Sequence, residues 1–379
     1  MVVDAFLRWA RGAKSKDRAR AANALGRAYL LSPMSVDERH AAEMAMVYLL
    51  DDPAPAVRAA LSEALAWSKD APRAVVLSLA GDKPEVAGHV LICSPLLSDH
   101  DLVEIAVRGS SATRMMIAAR AQLSPSVCAA IAEIGDKDEL LCLLENEGAS
   151  LPSFSLTRIA ERFGHNNEIR DVLLSRSDLT LQARHLLAMR LSAAFADMPL
   201  VQAVLPQDHL EEMAREALET TACAIAEEAL PEQLPELVGF LQQTEQLTTS
   251  LMMRALCTGR TEFFAAAIVA LTRCDERRVR SVIANGRSHA VSALYDLAGI
   301  PSDMTVVFVE ATMLWRNAAA SRRETIMAGV TRKLVSRFGK AGGQLNSRQE
   351  LIDFVQRLQI DEQRAFARQY ASSRLLTAA

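Results

Sequence analysis

The chain is short of the residues that interrupt helices and of those that build sheets. Its 379 residues hold 16 glycines and 13 prolines, where average usage would supply roughly 27 and 19. Aromatic residues make up 5% of the chain, so the β-branched and aromatic signature of a sheet protein is weak. These shortages predict an all-α protein. No apolar run approaches the roughly 18 residues of a membrane span; stretches such as Met44–Leu50 and Ala265–Leu271 stop well short. The N-terminus carries Asp4 and Trp9-Ala10-Arg11, without the apolar core or small-residue cleavage site of a secretory leader. The six cysteines (Cys93, Cys128, Cys142, Cys223, Cys257 and Cys274) stand singly in apolar, helix-like segments and form no CxxC pair. That spacing points away from a zinc site and from a redox dithiol. The expectation is a soluble protein of a reducing compartment, the cytoplasm.

What is present is an apolar half, 23% charged residues and a nearly balanced charge of −4. This composition excludes a disordered chain, and the length implies two or three domains. Repeats are visible in the first half. Leu97-Ser98, Leu123-Ser124, Leu151-Pro152 and Leu179-Thr180 open similar segments at spacings of 26, 28 and 28 residues. Ile105-Ala106, Ile131-Ala132 and Ile159-Ala160 recur eight positions after the first three openings, and Gly109, Gly135 and Gly164 follow. Those glycines are expected to close each first helix in the left-handed conformation. Each unit continues into a second short helix, with apolar positions at Met115/Ala118, Leu141/Leu144 and Ile169/Val172. A looser copy starts at Ala71 with Leu79-Ala80-Gly81, and the Leu179 unit keeps the register with Leu187-Ala188.

A pair of short helices cannot bury its apolar stripe alone, so repeated pairs stack into a continuous core. The reading is an α-solenoid of the HEAT-like class. Its unit is shorter than the ~40–47 residues of HEAT or armadillo repeats and lies nearest the leucine-rich-variant type. Ahead of the repeats, Ser35-Val36-Asp37-Glu38 is a capping box opening a helix to Leu50, and Ala56–Trp67 is a second helix with Val57, Leu61 and Leu65 on one stripe. The first thirty residues are basic and amphipathic: Phe6, Trp9, Ala10 and Ala13 share a face, with Arg8, Arg11, Lys14, Lys16, Arg18, Arg20 and Arg27 elsewhere. Such a segment suits either a cap on the solenoid end or contact with a membrane surface or acidic partner.

After Leu191 the repeat fades. Asp208–Glu236 holds nine acidic residues and one basic residue, Arg215. Helices are expected on either side of Thr258-Gly259-Arg260 and of Asn285-Gly286, then at Val306–Ala320, Thr325–Phe338 and from Ser347, with a joint at Gly339–Gly343. Arg316–Lys340 holds seven basic residues against Glu324. The resulting division is a basic N-terminal cap at 1–34, solenoid repeats at 35–196, a helical domain at 205–320 and a helical tail at 321–379.

Leu251-Met252-Met253-Arg254-Ala255-Leu256-Cys257-Thr258-Gly259, Phe263-Phe264, Arg277-Arg278-Val279-Arg280 and Ala293–Pro301 together resemble the DUF2336 family of bacterial, mainly alphaproteobacterial, proteins with a helical-repeat N-terminal half. The resemblance is best over residues 150–315. It implies the helical fold, and it brings neither catalytic residues nor a cofactor.

Motifs for chemistry are scarce. The chain has no phosphate-cradling GxxxxGK[ST], no GxSxG elbow and no HExxH helix. Asp99-His100-Asp101 is the most ligand-like cluster, but acids at a helix start suit the helix dipole. Phe263-Phe264 reads as core rather than as a stacking platform. No catalytic, cofactor or metal residue is expected. Arg277, Arg278, Arg280, Arg322 and Arg323 form the one candidate partner-binding patch, against the alternative of a solvated face.

Three functions compete. A non-catalytic protein-interaction scaffold or adaptor, regulatory or signalling, suits a solenoid; its partner is an unidentified protein or a second copy. A HEAT-like nucleic-acid-binding protein or DNA glycosylase would need a basic concave face, whereas residues 35–196 carry 15 basic against 22 acidic residues. A membrane-surface adaptor would rest on the basic N-terminal segment alone.

Overall fold

The computed structural model of the protein describes residues 8–10, 12–320, 327–339 and 347–377. It is all-α, and the described residues contain no strand beyond an isolated bridge between Leu123 and Ala149. The chain forms two compact units, Met1–Ala183 and Arg184–Ala379.

The first unit comprises α1 (Ser15–Leu31), α2 (Val36–Leu50), α3 (Pro55–Leu65), α4 (Arg73–Ala80), α5 (Pro84–Cys93), α6 (Asp99–Arg108), α7 (Ser111–Ala118), α8 (Pro125–Ile134), α9 (Lys137–Glu145), α10 (Ser153–Phe163), α11 (Asn167–Ser175) and the first turn of α12 (Leu181–Ala196). Hydroxyl and amide side chains set the starts. The Ser35 hydroxyl accepts from the Glu38 N–H at 3.3 Å, while the Glu38 carboxylate takes the Ser35 N–H at 2.9 Å. Ser98 and Asp101 repeat that box, and Ser124, Asn166 and Thr180 cap α8, α11 and α12. Each such cap contributes about 1 kcal/mol.

Helices pack on their second neighbours. α6 lies on α8 and α8 on α10, while α5, α7, α9 and α11 form the parallel row. This is the stacked, two-row solenoid that the repeat requires. Val57, Leu61 and Leu65 are fully buried on α3, as their spacing predicts, and so are Val127, Ile131, Leu156 and Ile159 on the first helices of the repeats. On the second helices the expectation holds in part. Ala118, Leu144 and Ile169 are buried as predicted, whereas Met115 is 38% exposed, Leu141 and Val172 are half-buried, and Ile117, Leu140, Leu143 and Leu173 are buried beside them. Each of these helices touches its own partner and the second helices on either side, and that wider contact widens and shifts the covered face.

The closing glycines also differ from expectation. Gly109 (φ −78°), Gly135 (φ −68°) and Gly164 (φ −61°) are not left-handed. The chain leaves α6 and α8 extended and enters the next helix at once. A Cβ on Gly109 or Gly135 would sit 2.7 Å from the carbonyl oxygen of Ile105 or Ile131. Crowding rather than handedness demands glycine there.

Arginines staple each repeat to the one before. Arg162 donates to the Ala132 carbonyl at 2.7 Å, Arg176 to Leu144 at 3.0 Å, and Arg120 to Leu91 and Ser94. Each answers carbonyls left open at a helix C-terminus, where cations are favoured. α1 packs on α2 and α3 through Ala22, Gly26 and Tyr29, with Arg18 paired to Asp52 at 2.7 Å. Phe6 and Arg11 of the N-terminal amphipathic segment lie outside the described residues; Ala10 is buried and Trp9 is 45% exposed.

The second unit continues α12 into α13 (Pro199–Val204), α14 (Gln207–Glu228), α15 (Leu234–Gln243), α16 (Thr249–Cys257), α17 (Thr261–Thr272), α18 (Glu276–Asn285), α19 (Ser288–Leu297), α20 (Ser302–Ala320), α21 (Met327–Phe338) and α22 (Ser347–Thr377). α16 is its hub. Every residue from Leu251 to Cys257 is buried, and α14, α17, α20, α21 and α22 pack around it. Phe264 meets Tyr295 edge-on at 5.8 Å and stacks with Phe308 at 6.3 Å. The Phe263-Phe264 pair is core, as its apolar surroundings predict. Arg316 closes α18 by donating to the carbonyls of Val282, Ile283 and Gly286, each at 2.6 Å. The joint expected at Gly339–Gly343 falls largely outside the described residues.

The candidate site: an acidic cleft and an adjoining pocket

α14 carries acids at helical spacing, so Asp208, Glu211, Glu212, Glu216 and Glu219 fall along one side of it. Opposite stand Glu350, Leu351, Asp353, Phe354 and Arg357 of α22, with Thr248, Thr249 and Ser250 at the start of α16 and Met304 of α20. The residues enclose a cleft of about 900 Å³ whose lining holds seven carboxylates against Arg215 and Arg357. Arg357 is paired with Glu212 at 2.6 Å.

The floor is organised by Arg254, a buried cation on the hub helix. It lies 3.4 Å from the Glu216 carboxylate, 3.9 Å from that of Glu219 and 5.1 Å from the centre of the Phe354 ring. Glu219, 5% exposed, accepts hydrogen bonds from the hydroxyls of Thr248 (2.8 Å) and Ser250. Thr248 also caps α16 by accepting from the Leu251 N–H. The positive end of the α16 dipole therefore faces a fixed anion. Glu216 and Glu219 hold the fold together, while Asp208, Glu211, Glu350 and Asp353 are exposed on the rim.

A smaller cavity of about 340 Å³ adjoins the cleft and shares Glu211, Arg215, Glu219 and Thr248 with it. Its walls include Ala214, Leu218, Ala222, Leu241 and Leu251. His185 of α12 lies against it, 1% exposed, with Nε2 2.5 Å from Gln246 Oε1 and its ring edge-on to Phe240. Burial lowers the His185 pKa, partly offset by the Gln246 contact, so the imidazole is neutral at pH 7.

Of the five arginines of the patch expected from sequence, three lie among the described residues. Arg280 is engaged by Glu262 and by Glu276 (2.7 Å), and Arg277 and Arg278 are exposed on the first turn of α18. Arg322 and Arg323 lie outside the described residues. In the Asp99-His100-Asp101 cluster, Asp101 is held by Ser98 and by Arg73 at 2.9 Å, and Asp99 accepts from the Ser126 hydroxyl. Among the described residues no group of three His, Cys, Asp or Glu side chains could hold a metal ion, and no helix is long and apolar enough to cross a membrane.

A family model described as an uncharacterised protein conserved in bacteria, DUF2336, matches residues 86–346. The chain belongs to the DUF2336 family. No curated protein and no solved structure matches it. The DUF2336 match begins inside α5 and runs through both units, so the family spans the repeats as well as the hub. It contains His185, the α14 acids and Arg254, and it stops short of the α22 wall of the cleft.

Proposed function

We propose that this DUF2336 protein is a non-catalytic interaction scaffold or adaptor of the bacterial cytoplasm, HEAT-like in its repeats, that seats a basic segment of a partner protein in the α14–α22 cleft. The cleft carries the reading. Its rim acids Asp208, Glu211, Glu350 and Asp353 outnumber the unpaired Arg215, and Met304, Leu351 and Phe354 give it an apolar floor. A lysine or arginine entering there meets a negative potential in a partly enclosed site, where field lines concentrate. Phosphate backbones would be repelled, which favours a protein partner over nucleic acid. The packing of α1 against α3 favours a cap over a membrane anchor.

The test is fluorescence anisotropy with a labelled peptide of alternating lysine and leucine. Binding should weaken as salt is raised and fail in the Glu350→Lys/Asp353→Lys variant. Equal binding of a glutamate/leucine peptide, or no effect of the double substitution, would overturn the reading.

A further inference from the structure

We propose that the second half of α12 is the seat of a two-fold dimer. In it α12 lies antiparallel on α12 of a second copy of this chain, and Arg190 of each copy pairs with Asp197 of the other.

Apolar residues run round almost the whole of this helix. Its first turns are anchored: Ala183, His185, Leu186 and Leu187 are buried, and Arg184 pairs with Glu228 at 3.2 Å. Beyond Met189 the sequence stays apolar but the cover ends. No residue from 190 to 209 is buried. Leu191, Phe195 and Met198 are each about half exposed, and Leu200 and Val204 of α13 are more than two-thirds exposed. α13 packs broadly on no other described helix. A helix that is apolar on all sides is ordinarily a buried one, and a contiguous apolar surface of this kind marks an interaction site.

The charges choose the occupant. Asp197 is the only charged residue between Arg190 and Asp208, so a basic or an acidic partner finds no net charge here to select it. Arg190 and Asp197 are both exposed, and neither is ion-paired among the described residues. The Asp197 N–H donates to the Ala193 carbonyl at 3.0 Å, so the helical path of α12 reaches Asp197. Positions 190, 193, 194 and 197 then fall on one face, at spacings of three and four residues. That face reads Arg, Ala, Ala, Asp, which is its own complement when reversed. A two-fold axis between Ala193 and Ala194 sets each arginine opposite the other copy's aspartate, the isologous pairing of a closed dimer. The same axis puts the smallest side chains where the backbones approach, which allows close packing. The Leu191, Phe195 and Met198 stripe of each copy then lies beside the other's. This face covers roughly 500 Å² per copy, so the pair buries on the order of 1,000 Å², at the threshold of a specific and reversible contact. None of these residues lines the acidic cleft, so the inference stands apart from the peptide reading.

Sedimentation velocity of the intact chain over a concentration series tests it. Monomer and dimer should exchange with a Kd in the micromolar range. Leu191→Ser/Phe195→Ser should give a monomer that keeps the parent's helical circular dichroism, because both positions are exposed. Arg190→Asp alone sets acid against acid, and Asp197→Arg alone sets base against base; each should weaken the dimer about tenfold. The exchange variant Arg190→Asp/Asp197→Arg restores opposite charges and should regain the parent's Kd. The proposal is overturned if the parent stays monomeric at the highest concentration reached, or if the double serine variant dimerises as the parent does. It is equally overturned if the single charge variants dimerise like the parent, or if the exchange variant fails to recover what each of them loses.

Discussion

Replacing Arg254 with leucine should cost the second unit ~3–4 kcal/mol. The guanidinium sits 3.9 Å from Glu219 and 3.4 Å from Glu216, with both Arg254 and Glu219 less than a tenth exposed. At an effective dielectric of about 20, a charge pair 3.9 Å apart is worth roughly 4 kcal/mol. Glu216 is 36% exposed on its side chain and contributes little. The leucine regains some apolar burial. Against that stands Glu219, now a buried carboxylate supported by two hydroxyls alone, and breaking a buried pair from one side typically costs ~3–5 kcal/mol. For a unit of this size the loss corresponds to a fall of about 10 °C in its calorimetric transition. The double variant Arg254→Leu/Glu219→Leu removes the stranded charge as well and should recover about half of the loss. Scanning calorimetry reads both. A single variant melting within about 2 °C of the parent, or a double variant below the single, would show that the pair does not hold the hub.

Gly135→Ala should destabilise the solenoid by ~1–3 kcal/mol through its 2.7 Å clash with the Ile131 carbonyl, whereas Gly239→Ala, in open space within α15, should stabilise by ~1 kcal/mol. Equal effects in urea melts would remove the crowding argument. Glu362→Gln addresses a carboxyl whose pKa burial raises, partly offset by the Thr331 hydroxyl, and whose Oε1 is unpartnered. A raised native pKa makes folding favour the protonated form, so stability is full below about pH 4.3, the unfolded value, and falls as pH rises through the native one. The glutamine variant should therefore be more stable than the parent at pH 7, with the gap closing towards pH 4. A gap that stays constant with pH would refute this.

The helices were legible in the sequence because their determinants are local. Ser35-x-x-Glu38 and Ser98-x-x-Asp101 are capping boxes in the structure too, and Val57, Leu61 and Leu65 are the buried stripe that their spacing predicts. What failed depends on neighbours. The stripe on α7 moved from Met115 to Ile117 because a second row of helices decides which face is covered. The role of Gly109 and Gly135 changed because a Cβ there would press on the Ile105 or Ile131 carbonyl of the helix just ended. The border between the two units at Ala183 falls within α12, so no turn residue marks it in the sequence.

The site was less legible still, although half of it was in view. From sequence, the acidic run of α14 can either pair internally with the basic stretch Arg316–Lys340 or recruit a charged partner. Among the described residues the two do not pair. The α14 acids meet Arg184, Arg254, Arg260 and Arg357, while Arg316 closes a helix and Arg337 pairs with Glu310. The opposite wall comes from α22, more than a hundred residues on, and it brings Glu350 and Asp353 to face an already negative helix. Like charges face each other across a cleft only at a cost in self-repulsion. The chain holds that arrangement with one buried arginine beneath it and one ion pair, Arg357–Glu212, across it. A cation arriving from outside relieves the repulsion that the fold itself leaves in place, and that is the physical ground for seeking the partner of this cleft among basic segments.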